Sequence, residues 1–450
     1  MFELVIILTR YSFLFYILYF IMQSVLFILE ERNLISSASG VSFYVSAVSK
    51  QRVSIVFMHL TAFLILSYLP TTFSFDARIL AVGAVSLVLL LLAFFLADKV
   101  YGESCHLMWN SVFFLFDVGF IMLQRLDSSL AERQLVWFFF GFAIMLMIPL
   151  VLRFIPNFER LEKVYLIIGL ILVILPSFWG ERIFGATNWV VIGNFNFQPS
   201  EVAKFLFVFY LASVFRNKLH LKQLIFSASM SAIFVITLVS QRDLGGALIF
   251  FMTYVVMLYI ATSSELMFLS AIGSMGTASY IFYQFYPHVR VRVHAWQNPW
   301  ADISSGGYQI TQSLFAIGTW GFLGSGLTRG HPNQIPVAYS DFIFSAICEE
   351  FGSIFGIALI LIYVLILYRG IHFSLRTDNR FFSLLASGFT AMLAFQTFLI
   401  IGGTIKLIPL TGVTMPFVSY GGSSVLASIM MIGILQWIHK QDGYTNYSMD

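Results

Sequence analysis

Long apolar runs alternate with short polar connections along this chain, and only one polar interval is long. A helix that crosses a bilayer needs about 20 mostly apolar residues. Runs of that order lie at 4–29, 53–70, 79–97, 107–123, 135–153, 163–178, 200–216, 223–240, 243–261, 266–285, 341–368, 381–403 and 418–438. The pattern predicts an all-α polytopic integral membrane protein. The first run is too long for the apolar stretch of a secretory leader and lacks a small-residue cleavage site, so it reads as a retained helix. The interval 286–340 holds no apolar run able to cross a bilayer, yet it gathers carboxylates, arginines, tryptophans and glycines. It is predicted as one large loop at a membrane face.

Basic residues in short loops set the orientation. Arg153, Arg160 and Lys163, then Arg216 and Lys222, then Arg369, Arg376 and Arg380 cluster on one side. Arg78, Arg125, Arg133, Arg182, Arg242 and Lys406 are spread thinly over the other. The richer side is expected to be cytoplasmic. That places the N-terminus and the 286–340 loop outside, and a short tail at 441–450 inside.

Composition agrees with a lipid solvent. Charged residues are 10% of the chain, against about 25% in an ordinary soluble domain. Hydrophobic residues are 59%, more than a soluble protein of this length could bury. The net charge of +3 comes with no basic block, which argues against a nucleic-acid partner. Two cysteines, Cys105 and Cys348, give no disulfide framework. No Walker loop, zinc-ligand cluster or nucleophile elbow is present, and the spacing of His288, His294 and His331 does not make a metal site.

Several polar residues are candidates for chemistry, each with a structural alternative. Asp302, in Trp300-Ala301-Asp302, is either a positioned carboxylate able to accept a proton as general base or the cap of the turn at 303–306. Arg290 and Arg292 would share one side of an extended segment. There they could grip a phosphate bidentately or snorkel to lipid headgroups. Glu201 and Lys204 share a helix face just after Pro199 and Ser200, which fit a helix start. Ionisable groups inside a membrane segment default to a functional role, and these two either brace a site or touch a ligand. Asp243 and Asp341 open helices, where a carboxylate stabilises the N-terminus or meets substrate. Glu349 and Glu350 cannot both face one direction, and Glu350 is the better candidate for the interior. The Ser419-Tyr420-Gly421-Gly422-Ser423-Ser424 stretch permits close helix packing or approach to a phosphate at a helix N-terminus. Trp296, Trp300 and Trp320 are either sugar platforms or members of the interfacial aromatic belt.

Four stretches, taken together and in order, carry a more specific signal. The first is Gly185-Ala186-Thr187-Asn188-Trp189 with Phe197-Gln198-Pro199-Ser200-Glu201-Val202-Ala203-Lys204, and the second is Gln241-Arg242-Asp243-Leu244-Gly245. The third runs from Asn298-Pro299-Trp300-Ala301-Asp302 through Gly306-Gly307-Tyr308-Gln309 to Asp341-Phe342-Ile343-Phe344 and Glu349-Glu350. The fourth runs from Leu407-Ile408-Pro409-Leu410-Thr411-Gly412 to Pro416-Phe417-Val418 and the serine-glycine stretch. From about residue 107 onward the sequence resembles the SEDS family, the FtsW, RodA and SpoVE proteins of bacterial envelope synthesis. It departs from the family pattern in places. Thr187 and Asn188 stand where two arginines are frequent, and Arg242 stands for a common proline. Tyr339-Ser340 replaces a His-Thr pair, and Ile400-Ile401-Gly402 replaces Asn-Ile-Gly.

The resemblance implies a ten-helix catalytic core over 101–440 and about three accessory helices within 1–100. It implies a peptidoglycan glycosyltransferase in the bacterial plasma membrane that polymerises lipid II into glycan strands and releases polyprenyl pyrophosphate. The partner it implies is a class B penicillin-binding protein, in division, elongation or sporulation. Asp302 is then the general base or a metal-bound carboxylate, with Arg290 and Arg292 on the pyrophosphate and Glu201 and Lys204 supporting them. Trp189, Gln309 and Ser419 are expected to meet substrate. A divalent cation, magnesium or manganese, would be held by Asp302 and substrate phosphates. The competing readings are a flippase for the same lipid-linked precursor and a non-catalytic scaffold for a penicillin-binding protein.

Overall fold

In a lipid solvent every backbone polar group must find its partner within the chain, so apolar runs become helices. The computed structural model describes residues 2–32, 43–69, 72–102, 104–155, 157–183, 185–193, 195–217, 220–304 and 306–447. The chain opens with α1 (Phe2–Glu31) and α2 (Phe43–Ser67), a two-residue strand pair β1 (Tyr68–Leu69) and β2 (Ser74–Phe75), and α3 (Ala77–Tyr101). Next come α4 (His106–Leu126), α5 (Ser128–Phe154), α6 (Glu162–Ile174) and the short α7 (Pro176–Trp179). A ribbon of β3 (Glu181–Ile183), β4 (Ala186–Ile192) and β5 (Phe195–Phe197) leads into α8 (Pro199–Phe215). Then follow α9 (Leu221–Ser240), α10 (Leu244–Thr262), α11 (Glu265–Phe285), α12 (Pro287–Gln297) and α13 (Tyr308–Thr319). The last helices are α14 (Ile343–Phe351), α15 (Ser353–Arg376), α16 (Arg380–Thr404) and α17 (Gly422–Tyr447).

Among the described residues, eleven helices are long and apolar enough to cross a membrane, so this is a multi-pass membrane protein. The runs expected at 53–70 and 200–216 are helices too, but they are more polar or shorter. α2 carries Lys50, Arg52 and His59, and α8 has 17 residues with Glu201 and Lys204 in its first turns.

Three expectations are corrected. The run at 341–368 is not one helix: α14 ends at Phe351 and α15 starts at Ser353. Gly352 between them sits at φ 93, where its position leaves no room for a Cβ against the Phe322 carbonyl and Leu323. The all-α expectation holds for the spans but not for the connection between α7 and α8, which pairs as an antiparallel ribbon, with Val190 opposite Phe197 and Val191 opposite Asn196. β-Branched and aromatic residues in a short run suit a pleated surface better than a helix. The 286–340 interval is largely helical, and its first part is α12 rather than an extended segment.

The described chain divides into two compact units. One comprises Met1–Phe139, Gln309–Tyr368 and Phe417–Tyr420; the other comprises Phe140–Tyr308, Arg369–Pro416 and Gly421–Asp450. In the first, α2 lies against α1, α3 and α4, and α14 touches α1 and α4. Polar pairs tie these helices together. Arg52 grips both oxygens of Asp98 at 2.7 and 2.8 Å. His59 Nδ1 pairs with Asp117 in the core, and its Nε2 stands 2.9 Å from the Gly83 carbonyl. Arg125 Nε donates to Glu350 at 2.8 Å, and its Nη2 to the Gly330 carbonyl.

In the second unit α8 is central, packed against α6, α10, α16 and α17. The ribbon strand β4 touches α7 and α8, while α11 carries α12 at its end and α12 meets the turn Pro299–Asp302. These elements position the site.

Candidate functional site

Most of the candidate residues fall in the second unit, where three polar assemblies can be built from the sequence upward. The first is the turn that ends at Asp302. Pro299, with its fixed φ, starts a 3₁₀ turn over Pro299–Asp302. The Asp302 carbonyl accepts the Gly307 N–H at 2.9 Å, and its Oδ2 accepts the Gly306 N–H at 3.1 Å. The carboxylate is nonetheless exposed. The capping reading holds: the side chain caps its turn, and the cap fixes an accessible carboxylate in one orientation. Val291 of α12 lies beside this turn, against Gly306.

The second assembly gathers at the start of α10. Asp243 caps this helix by accepting the Gly246 N–H at 2.7 Å, as its place before an apolar run predicts. Its other oxygen accepts from Asn188 Nδ2 at 2.8 Å and Gln198 Nε2 at 3.1 Å. Asp243 is thus a buried structural hub joining the ribbon, the entry to α8 and α10. Gly245 lets the 411 segment approach closely: a Cβ there would stand 3.1 Å from the Thr411 carbonyl. That carbonyl accepts from Arg292 Nη1 at 3.2 Å. Arg242, just before the cap, is exposed and holds φ 66. Burial, with Arg242 and Arg292 nearby, holds the His288 imidazole below its ordinary value.

Arg290 is not part of this cluster. α12 turns about 100° per residue, so residues two apart face nearly opposite ways, whereas the extended segment first expected would have aligned them. Arg292 reaches Thr411, while Arg290 is exposed. Trp296, one turn on from Arg292, donates to the Lys406 carbonyl at 3.2 Å. Trp300 is exposed, in keeping with an interfacial position.

The third assembly is inside the helices. Glu201 and Lys204 form an ion pair at 2.7 Å with side chains only 9% and 3% exposed. Lys204 extends to Gln396 Oε1 at 3.4 Å, and Gln396 donates to the Thr414 carbonyl at 3.0 Å and Ser424 Oγ at 3.3 Å. Thr414 Oγ1 donates to Ser424 at 2.7 Å. Gln198, Gln396 and Thr414 were not singled out from sequence. A lone glutamine in an apolar run such as Gln396 is the signal that could have found one of them, since polar groups in membrane helices seek partners across the interface.

Other expected site residues stand elsewhere. Trp189 is half-buried on β4. Side chains alternate along a strand, so it faces away from the side on which Asn188 meets Asp243. Gln309 and Ser419 belong to the first unit. Ser419 is buried, donating to the Ser340 carbonyl at 2.6 Å and accepting from Gln134 at 3.1 Å, a packing contact. Asp341 Oδ1 accepts from its neighbour Ser340. Glu349 and Glu350 are both buried, Glu349 accepting the His331 N–H at 2.7 Å and Glu350 pairing with Arg125. Among the described residues, no group of three His, Cys, Asp or Glu stands close enough to hold a metal.

The profile of the FtsW, RodA and SpoVE family, described as cell cycle proteins, matches residues 104–444. The chain is 33% identical over 344 residues to the peptidoglycan glycosyltransferase RodA of Mycobacterium leprae, covering 71% of this chain and 74% of that protein. It is 31% identical to stage V sporulation protein E of Bacillus subtilis, over 73% of this chain and 95% of that one. Among solved structures, a chain from a peptidoglycan synthase complex that coordinates polymerization and crosslinking superposes with a TM-score of 0.66 at 26% identity. That match covers 76% of this chain and 99% of the other. The rod shape determining protein RodA of Thermus thermophilus shares the fold, with a TM-score of 0.54 at 24% identity over 76% of this chain and 98% of that one.

Proposed function

Since the chain belongs to the FtsW, RodA and SpoVE family, we propose that it is a peptidoglycan glycosyltransferase that polymerises lipid II into glycan strands. The observation that carries the assignment is the exposed Asp302 carboxylate, held by the Gly306 N–H on a turn locked by Gly307. In the reaction an acceptor sugar hydroxyl bonds to the anomeric carbon of the donor, and the bond from that carbon to the diphosphate oxygen breaks. The electron pair leaves on the diphosphate, and Asp302 takes the hydroxyl proton as general base. A single carboxylate suffices because the leaving group needs cations rather than an acid. The Asp243 hub and the Glu201–Lys204–Gln396 chain keep the surrounding helices in register.

A divalent cation, magnesium or manganese, fits only with the substrate's help. Asp302 would give one carboxylate and diphosphate oxygens the rest, in the manner of magnesium sites built on phosphates. Bound there, it would neutralise charge on the leaving group.

The Asp302 face is assigned to the outside of the plasma membrane because the basic loops cluster on the opposite side. The related chain from a complex that coordinates polymerization with crosslinking supports a class B penicillin-binding protein as partner here too. The glycosyltransferase names of the relatives favour polymerisation over flipping of the precursor.

The test is polymerisation of purified lipid II in detergent, with and without magnesium or manganese. Asp302→Asn is expected to lose about 10²–10⁴-fold in rate while eluting and melting like the parent. Full activity in that variant would sink the assignment of Asp302.

A further inference from the structure

The start of α10 holds more unspent polar capacity than its structural duties explain. Asp243 is fully engaged by Gly246, Asn188 and Gln198. Around it, three buried atoms lack any protein partner: His288 Nε2, Thr411 Oγ1 and Asn188 Oδ1. Buried polar atoms are nearly always hydrogen-bonded, and one that is not calls for a ligand or a water. Two of the three belong to residues tied to one another at the start of α10. Asn188 bonds Asp243, Thr411 lies on Gly245, and Arg292 reaches the Thr411 carbonyl. His288 lies one helical turn before Arg292 on α12, and the charges of Arg242 and Arg292 both act on it.

Arg242 is the unusual member. A non-glycine residue in the left-handed region is uncommon, and strain of this kind persists where surrounding structure holds it for a purpose. Its N–H bonds the Val239 carbonyl and the next N–H bonds Leu238, so the turn is fixed at both ends. The outcome is an exposed guanidinium presented at the mouth of a helix. Two like charges beside a weakly basic imidazole are poorly placed for one another and well placed for a doubly charged anion.

We propose that Arg242, with Arg292 and the buried edge of His288, forms a diphosphate-binding cluster that holds the leaving group of the lipid-linked donor. The proposal rests on the glycosyltransferase reading and adds to it a substrate-binding residue, Arg242. Arg292 contributes a guanidinium anchored on Thr411, and His288 Nε2 and Thr411 Oγ1 supply polar atoms at the rim. As the anomeric bond breaks, the electron pair moves onto a diphosphate oxygen held by these two cations.

The test separates binding from folding and from the reaction itself. Arg242→Asn eases the backbone, because asparagine tolerates the left-handed region, so thermal stability is expected to be unchanged or higher. It is nevertheless expected to raise KM for lipid II at least about tenfold, the loss of one charge-assisted hydrogen bond. Arg242→Lys should recover part of that affinity by restoring the charge without the bidentate fork. Binding is read directly by the thermal shift that farnesyl diphosphate gives relative to farnesyl monophosphate. The diphosphate preference should be present in the wild type and lost in Arg242→Asn. If wild type polymerises lipid II and Arg242→Asn keeps both its KM and its diphosphate preference, the cluster is overturned and the enzyme reading stands. If wild type makes no glycan yet shows an Arg242-dependent diphosphate preference, the cluster stands and the polymerase reading falls.

Discussion

The buried pair Glu201–Lys204 shows how much a single contact decides at the residue scale. Two charges removed from water are tolerated because each compensates the other and the pair is extended by Gln396. Removing one partner leaves an uncompensated buried charge, which costs about 3–5 kcal/mol, whereas replacing both by neutral groups costs much less. Lys204→Met is therefore expected to lower the melting temperature in detergent sharply, and Glu201→Gln/Lys204→Met to recover most of the loss. Equal melting temperatures for the single and double variants would show that the pair is not coupled. This pair was legible in the sequence, because a spacing of three on an apolar helix puts both side chains on one face. The cap at Asp302 was legible too, as a carboxylate placed just before the turn at 303–306. The pairing of Arg290 with Arg292 was misread, since the same two residues align on a strand and oppose each other on α12. Periodicity alone does not choose between those geometries in a polar segment. Nor does a sequence show that Arg242 adopts a left-handed backbone or that the charges of two arginines act on His288.

At the scale of elements, α14 is the piece that the hydrophobic pattern hid. Its apolar residues resume in α15 after only Glu349, Glu350 and the Gly352-Ser353 step, and glycine is common in membrane helices, so the break at Gly352 does not stand out. Once separated, α14 brings Glu349 and Glu350 into the interior of its unit instead of placing them along a spanning helix. Burial pushes the Glu350 carboxyl from its ordinary value of 4.5 up to about 7, opposed by the charge and hydrogen bond of Arg125 and by the Thr328 N–H. Glu349, itself raised by burial and facing His331 and Arg125, adds repulsion. The folded protein therefore holds a proton on Glu350 at a pH where the unfolded chain has released it. Stability must then fall as pH rises between 4.5 and about 7. Melting temperature measured across that window is expected to decline for the wild type, and to decline less for Glu350→Gln. An identical slope in both would exclude Glu350 as the source. The ribbon β3–β5 was hidden for a different reason: its strands are three to seven residues long, too short for an alternation to stand out between two apolar runs.

The whole molecule raises the question of what the helices before residue 104 do, since the family match begins there. Composition alone marks them as membrane helices and says nothing of their attachment. The structure ties them into the first unit by more than apolar contact. Asp117, on α4 and inside the family match, is fully buried and pairs with His59 of α2. His59 in turn stands near the Gly83 carbonyl and Ser86 Oγ of α3, so one imidazole joins three helices. Arg52 adds a second tie, bonding Asp98 of α3 and Asn110 of α4. A variant lacking residues 1–103 would leave Asp117 with no His59 inside an apolar interior, where an unpaired ionisable group is costly. The expectation is a steep loss of folded yield and of melting temperature relative to the full chain. The cause is separable from the mere loss of apolar surface, because Asp117→Leu in the truncated chain should restore part of the yield, while the same substitution in the full chain should destabilise it by leaving His59 unpaired. A truncated chain that melts with the full-length protein would mean that these helices ride on the core without supporting it. Opposite signs for one substitution in the two backgrounds would instead establish the His59–Asp117 contact as the joint between the helices before residue 104 and the region that the family shares.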